Sequence, residues 1–241
     1  MKKFVFLFLG TVAMLIAVQI SRADVIADWT FQTAASTNNI IGTGKTPGAT
    51  QSGISADLGL GTASSSHASS SSAWSSPAGN GSTNSWSANT WAVGDFYQFS
   101  VSTSGYTNIT VSYDQTGSGT GPRDFNFQYS LDGSFFATVS SYNVVSNGFS
   151  SQPWNVTTSS SAYNLTFDLS AISSLANDSA IYFRTTMADT TAINGGSVAT
   201  AGTDRVDNFT VFGSPLSVPE PTTLALAFGG AAFLVAFRRR R

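Results

Sequence analysis

From residue 95 to residue 212 apolar and polar side chains alternate. Tyr97, Phe99 and Val101 fall on one side of an extended segment, and Ile109, Val111 and Tyr113 do the same on the next. Phe125, Phe127, Tyr129 and Leu131 follow, then Leu165, Phe167 and Leu169, the pair Ile181 and Phe183, and Phe209 with Val211 in a closing segment over residues 206–212. A period of two puts such residues on one face of a strand. Asp132-Gly133 predicts a hairpin turn, because glycine accepts the positive φ such turns need, with residues 135–139 as the returning strand. Nearer the start, residues 25–31 predict a first strand and residues 54–58 a short second one. Residues 170–176 predict one helical turn, and nothing else before the C-terminal tail has a helical period. Strands separated by Gly/Ser/Asn turns predict an all-β fold, an antiparallel two-sheet sandwich. Residues 62–90 interrupt the alternation with 12 serines in 29 positions, which predicts a long flexible loop carrying Trp74 and Trp86.

The two ends are patterned differently. Lys2 and Lys3 precede an almost wholly apolar stretch over residues 4–20, and Ser21-Arg22-Ala23 then puts small residues at the −3 and −1 positions of a cut between Ala23 and Asp24. This order predicts a secretory signal helix over residues 1–23, a substrate for the Sec machinery and signal peptidase. At the other end, Val218-Pro219-Glu220-Pro221 leads into Thr222 and Thr223. An apolar and small-residue run over 224–237 follows, and then Arg238, Arg239, Arg240 and Arg241. A 14-residue helix is about 21 Å long, short of the roughly 30 Å hydrocarbon core of a bilayer. With the threonines included and the arginines snorkelling, residues 222–237 predict a short transmembrane helix. The arginine cluster stays on the cytoplasmic side.

Val-Pro-Glu-Pro, a short apolar helix and a terminal arginine cluster, in that order, resemble the PEP-CTERM sorting signal of Gram-negative bacteria. The resemblance covers residues 218–241. It implies recognition of Pro219, Glu220 and Pro221 by an exosortase, a membrane-embedded transpeptidase-like enzyme, removal of the tail, and a setting of exopolysaccharide production. Three segments are therefore expected: the signal peptide 1–23, a β-sandwich domain 24–214 and the sorting tail 215–241. The strands around Arg123-Asp124-Phe125 and Asp132-Gly133, and the ending Asp204-Arg205-Val206-Asp207-Asn208-Phe209, are similar to jelly-roll modules of the galactose-binding or carbohydrate-binding type. That likeness implies a last strand pairing beside the first.

Composition narrows the chemistry. The formal charge of −2 hides an asymmetry, because seven of the 11 basic residues lie in the two signals. The domain keeps Lys45, Arg123, Arg184 and Arg205 against twelve aspartates, a balance of −8. Such a surface repels phosphate backbones, so no nucleic-acid partner is expected. There is no cysteine, so stability rests on packing or a metal, with no thiolate nucleophile. The single histidine, His67, sits in the serine tract and is expected to be a solvated loop residue rather than a catalytic base. No phosphate-binding glycine loop and no zinc spacing occur.

Two weaker signals remain. Trp74, Trp86, Trp91 and Trp154 lie in or beside loops, where a flat ring could stack on a sugar, although the favoured reading has Trp91 and Trp154 capping the core and Trp74 and Trp86 incidental. Asp28, Asp204 and Asp207 flank the first and last strands and could supply oxygen ligands to Ca²⁺, or be ordinary strand and turn residues. No other cofactor is expected. The expected protein is a non-enzymatic, exported one: first an inner-membrane-anchored precursor, then a cell-surface or extracellular component with a structural or adhesive role beside exopolysaccharide. A carbohydrate-binding module is the alternative, and an aspartate-dependent glycoside hydrolase a third reading.

Overall fold

A computed structural model describes residues 23–33, 46–47, 50–149, 151 and 153–216. The signal segment, the motif Val218–Pro221, the apolar run and Arg238 to Arg241 lie outside the described residues.

Fourteen strands are found among the described residues: β1 (Asp24–Trp29), β2 (Thr46–Pro47), β3 (Thr50–Ser55), β4 (Leu58–Gly59), β5 (Gly61–Ser66), β6 (Ala73–Ser75), β7 (Trp86–Ala88), β8 (Phe96–Val101), β9 (Tyr106–Gly117), β10 (Asp124–Ser130), β11 (Ala137–Asn143), β12 (Asn164–Asp168), β13 (Ile181–Met187) and β14 (Asp204–Pro215). They form the two-sheet antiparallel sandwich expected from the alternation. The first sheet runs β12-β9-β14-β7-β6-β2, with β1 also on β14 and β4 on β1. The second runs β11-β10-β13-β8-β5-β3. Single 3₁₀ turns at Ser161–Tyr163 and Ser173–Leu175 are the described helical elements. The second of these falls within residues 170–176, where one turn was predicted.

β14 organises the first sheet. Its first half pairs with β7, its second half with β1, and its other edge with β9. First and last strands are therefore antiparallel neighbours, with Asp24 opposite Gly213. The inward residues are those the period of two selects. Tyr97, Phe99, Val111, Tyr113, Phe125, Phe127, Phe183, Phe209 and Val211 are fully buried. Phe99 of one sheet stacks on Phe209 of the other, centroids 3.5 Å apart and planes 5° from parallel.

Three expectations are corrected. Residues 62–90 are not one flexible loop, since they contain β5, β6 and β7. Ala63 and Ser65 point inward, and Trp74 and Trp86 are fully buried. Two indoles supply the apolar area that the serines lack, and small side chains let the backbone pack closely around them. For the same reason His67 is not solvated: its ring is buried between Trp74 and Trp91, with centroids 4.6 and 4.3 Å away. Finally, the strand after Asp132-Gly133 starts at Ala137, two residues later than expected. The Asp132 carboxylate accepts from the amides of Ser134 and Phe135, at 2.8 and 2.9 Å, and so extends the turn through Phe135 and Phe136.

Candidate functional site

Among the described residues, the outer face of the second sheet carries an ordered set of polar side chains that is partly open to solvent. Successive residues of a strand point to opposite faces. Burying Tyr97, Phe99, Phe125, Phe127, Phe183 and Thr185 therefore turns Phe96, Gln98, Asn126, Gln128, Arg184 and Thr186 outward, each partly exposed. Antiparallel register then aligns them. Ser64 faces Gln98, Gln98 faces Arg184, Arg184 faces Gln128, and Gln128 faces Thr138, a row across five strands. Such cross-strand neighbours have Cβ atoms about 5 Å apart, within reach of one another.

Hydrogen bonds fix the row. Arg184 donates through Nε to Gln98 Oε1 at 2.7 Å, and Gln98 Nε2 donates to Ser64 Oγ at 3.4 Å. Thr186 Oγ1 donates to Gln128 Oε1 at 2.9 Å, and Gln128 Nε2 donates to Thr138 Oγ1 at 3.2 Å. Alongside, Ser141 Oγ donates to Asn126 Oδ1 at 2.6 Å. The Gln98 and Gln128 amides thus each have one donor and one acceptor engaged, and keep a second of each for a ligand.

Aromatic rings frame the row. The Arg184 guanidinium lies 3.7 Å from the ring centroids of both Phe96 and Phe136. Phe136 comes from the turn after β10, which folds onto Tyr182: at Gly133, with φ +72°, a Cβ would meet the Tyr182 ring at 3.2 Å. Beside it Phe135 is 84% exposed. Desolvation among the rings pushes the Arg184 pKa down to about 10, so the side chain remains a cation at neutral pH. Neither this row nor Phe135 was singled out in the sequence. An adjacent Phe135-Phe136 pair beside a turn was the available signal.

The four tryptophans are placed elsewhere. Trp74 and Trp86 belong to the core, and Trp91 packs on Tyr97 and Phe125 while its Nε1 donates to Ala88 O at 3.0 Å. Trp154 is buried on Tyr163, and its Nε1 donates to Ala78 O at 2.6 Å. None offers an open ring face to a sugar: Trp74, Trp86 and Trp91 belong to the core, and Trp154 is buried outside it.

Nor do the three aspartates converge. Asp28 accepts from Thr210 Oγ1 at 2.8 Å on the neighbouring strand. Asp207 accepts from Asn80 N and Ser82 Oγ, both at 2.8 Å, and from Asn208 N at 2.9 Å, so it fastens the 79–85 loop to β14. That approach requires Gly79, where a Cβ would lie 2.3 Å from Asp207 Oδ2. Asp204 is fully buried. Its Oδ1 accepts from Gln115 Nε2 at 2.9 Å, Oδ2 has no partner, and burial holds its pKa well above the usual carboxylate range. Among the described residues no three carboxylate or imidazole groups are grouped to hold a metal ion. Ala23 and Asp24 are exposed, and Asp24 begins β1.

Solved structures with similar strand arrangements are distant. The CBM22-1–GH10 modules of Clostridium thermocellum endo-1,4-β-D-xylanase 10B, complexed with xylohexaose, share 14% identity over 58% of this chain and 24% of that one, at a TM-score of 0.34. The mannan-recognising module TmCBM27 shares 10% over 80% and 99%, at 0.35. The K3 cleaved adhesin domain of Lys-gingipain from Porphyromonas gingivalis w83 shares 10% over 54% and 74%, at 0.32. No curated protein matches the chain. The tail is distinctive: residues 217–241 match the PEP-CTERM protein-sorting motif, and the chain is therefore an exported protein that carries this signal behind a β-sandwich.

Proposed function

We propose that the protein is a non-catalytic component of the cell surface or extracellular matrix, sorted by an exosortase, whose sandwich adheres to exopolysaccharide through the outer face of the second sheet. The observation that carries this reading is the row Ser64–Gln98–Arg184–Gln128–Thr138, with its amides already oriented. Sugar hydroxyls each give and take a hydrogen bond, and a carboxamide edge answers both. Side chains held by their neighbours lose little entropy when a ligand arrives. Exposed Phe135 adds an apolar surface at one end for a sugar ring. The row itself contains no carboxylate, and glycosidic hydrolysis would require a pair. Partial exposure of the residues along a flat face, rather than in a cleft, favours adhesion along a polymer over enclosure of a small molecule.

The test is affinity electrophoresis of the purified protein in a gel containing exopolysaccharide from the producing strain. Gln98→Ala with Gln128→Ala should weaken retardation at least tenfold while leaving the unfolding temperature within a few degrees. Unchanged retardation, or none in the parent protein, overturns the reading and leaves a purely structural role for the domain.

A further inference from the structure

Arg123 and Arg184 both lie on the second sheet or at its border, and their surroundings are opposite. Arg123 grips Asp124 with two parallel bonds, Nε to Oδ1 at 3.0 Å and a terminal nitrogen to Oδ2 at 2.9 Å. Arg184 has no carboxylate within ion-pair distance among the described residues. Its Nε is used by the neutral oxygen of Gln98, and its two terminal nitrogens have no hydrogen-bond partner among the described residues. Phe96 and Phe136 cover both faces of the guanidinium.

A cation so placed has given up water on two sides and received no counter-charge. Ring faces return only part of that loss. What remains available is the edge of the fork, held between the two rings. That edge matches two oxygens of one planar anion. A neutral hydroxyl fills only half of it.

We propose that the ligand of this face is an acidic polysaccharide and that a sugar carboxylate seats on the terminal nitrogens of Arg184. This rests on the polysaccharide reading of the same face and names its ligand class. Long-range charge refines the class further. The domain carries −8, and like charges repel over about 8 Å at physiological salt. A densely charged polymer is disfavoured, and a chain with isolated uronate residues between neutral sugars meets the cation of the row with less repulsion. Carboxylate is preferred to sulfate because the two stacked rings leave a flat slot, and a carboxylate is flat.

The experiment uses the exopolysaccharide purified from the producing strain in three forms: native, carboxyl-reduced with carbodiimide and borohydride, and desulfated. The expected result is at least tenfold weaker binding of the carboxyl-reduced form and no change on desulfation. Arg184→Gln should bring native polymer down to the affinity of the reduced form, with no further loss on the reduced form itself. Arg184→Lys, which keeps charge and loses the fork, should fall between and serves if the glutamine variant does not fold. Equal binding of native and reduced polymer overturns the carboxylate assignment while the adhesive face stands. Loss on desulfation alone transfers the slot to a sulfate and overturns it too. No binding of any form removes both readings.

Discussion

His67 packs its imidazole against the indole of Trp91 at a centroid distance of 4.3 Å, inside the protein. Nδ1 is 2.9 Å from Ser72 Oγ and 3.6 Å from Asp95, and Nε2 has no partner. Both neighbours bear on the same nitrogen, so the three residues do not form a relay in which a base activates the serine. Desolvation lowers the His67 pKa to about 4 and dominates over the backbone carbonyls that favour the charged ring. The unfolded chain titrates near 6.5 and binds the proton first. Stability should therefore fall as pH drops from about 6.5 to about 4, by roughly 2–3 kcal/mol in all. Thermal unfolding of His67→Gln across this range should lack that component. An identical pH dependence in the variant would show that the ring is already charged in the folded state.

Asp207 should act in the opposite direction. Burial raises its pKa to about 7 against three donors that favour the carboxylate. A group with a raised folded pKa stabilises below its unfolded value near 3.8 and loses that contribution as pH rises through 7. Asp207→Ala removes the acceptor of Asn80 N and Ser82 Oγ and should cost about 2–3 kcal/mol. Amide exchange at Asn80 should then accelerate ahead of the core strands. Uniform exchange across the whole sandwich would mean that Asp207 does not specifically hold that loop.

Three residues earlier on β14, the expected response differs. Asp204 is fully buried with one oxygen unpartnered among the described residues, and burial raises its pKa, which favours the protonated form. Asp204→Asn is close in shape to the neutral acid and should change stability by less than about 1 kcal/mol at pH 7, gaining on the parent at higher pH. Chemical denaturation at pH 7 and pH 9 measures this. A loss above about 3 kcal/mol would identify a needed carboxylate.

Trp74→Ala should lower stability by about 3–5 kcal/mol, as deletion of a fully buried indole does. At a temperature where the variant remains folded, polysaccharide retardation should match the parent. Selective loss of binding would return Trp74 to the ligand site.

Replacing Pro219 and Pro221 together with alanine should leave unprocessed protein in the membrane fraction of cells that contain an exosortase. Intact-mass measurement distinguishes the forms. Normal processing would place the recognition element elsewhere in the 217–241 segment.

The strands were legible because burial on one face writes itself as alternation, and Tyr97-Phe99-Val101 shows it plainly. The row of polar side chains was not. Ser64, Gln98, Arg184, Gln128 and Thr138 come from five strands, and only the order β5-β8-β13-β10-β11 makes them neighbours. His67 was misplaced because a serine tract resembles a disordered segment when its own hydrophobicity is weighed. Its burial depends on Trp74 in the same tract, Trp91 beyond it, and Tyr97, which touches both indoles. Asp28, Asp204 and Asp207 are close in pairing order, yet Asp204 turns into the core and Asp207 toward the 79–85 loop, because three residues of regularly paired strand separate them and put them on opposite faces.

The position of β14 also sets an order for folding. Last in sequence among the described strands, it is the shared neighbour of β1, β7 and β9. Until residues 204–215 are in place, β1 and β9 have no common partner and the first layer stays open. Closure of that layer therefore waits on the residues farthest from β1 in the described domain.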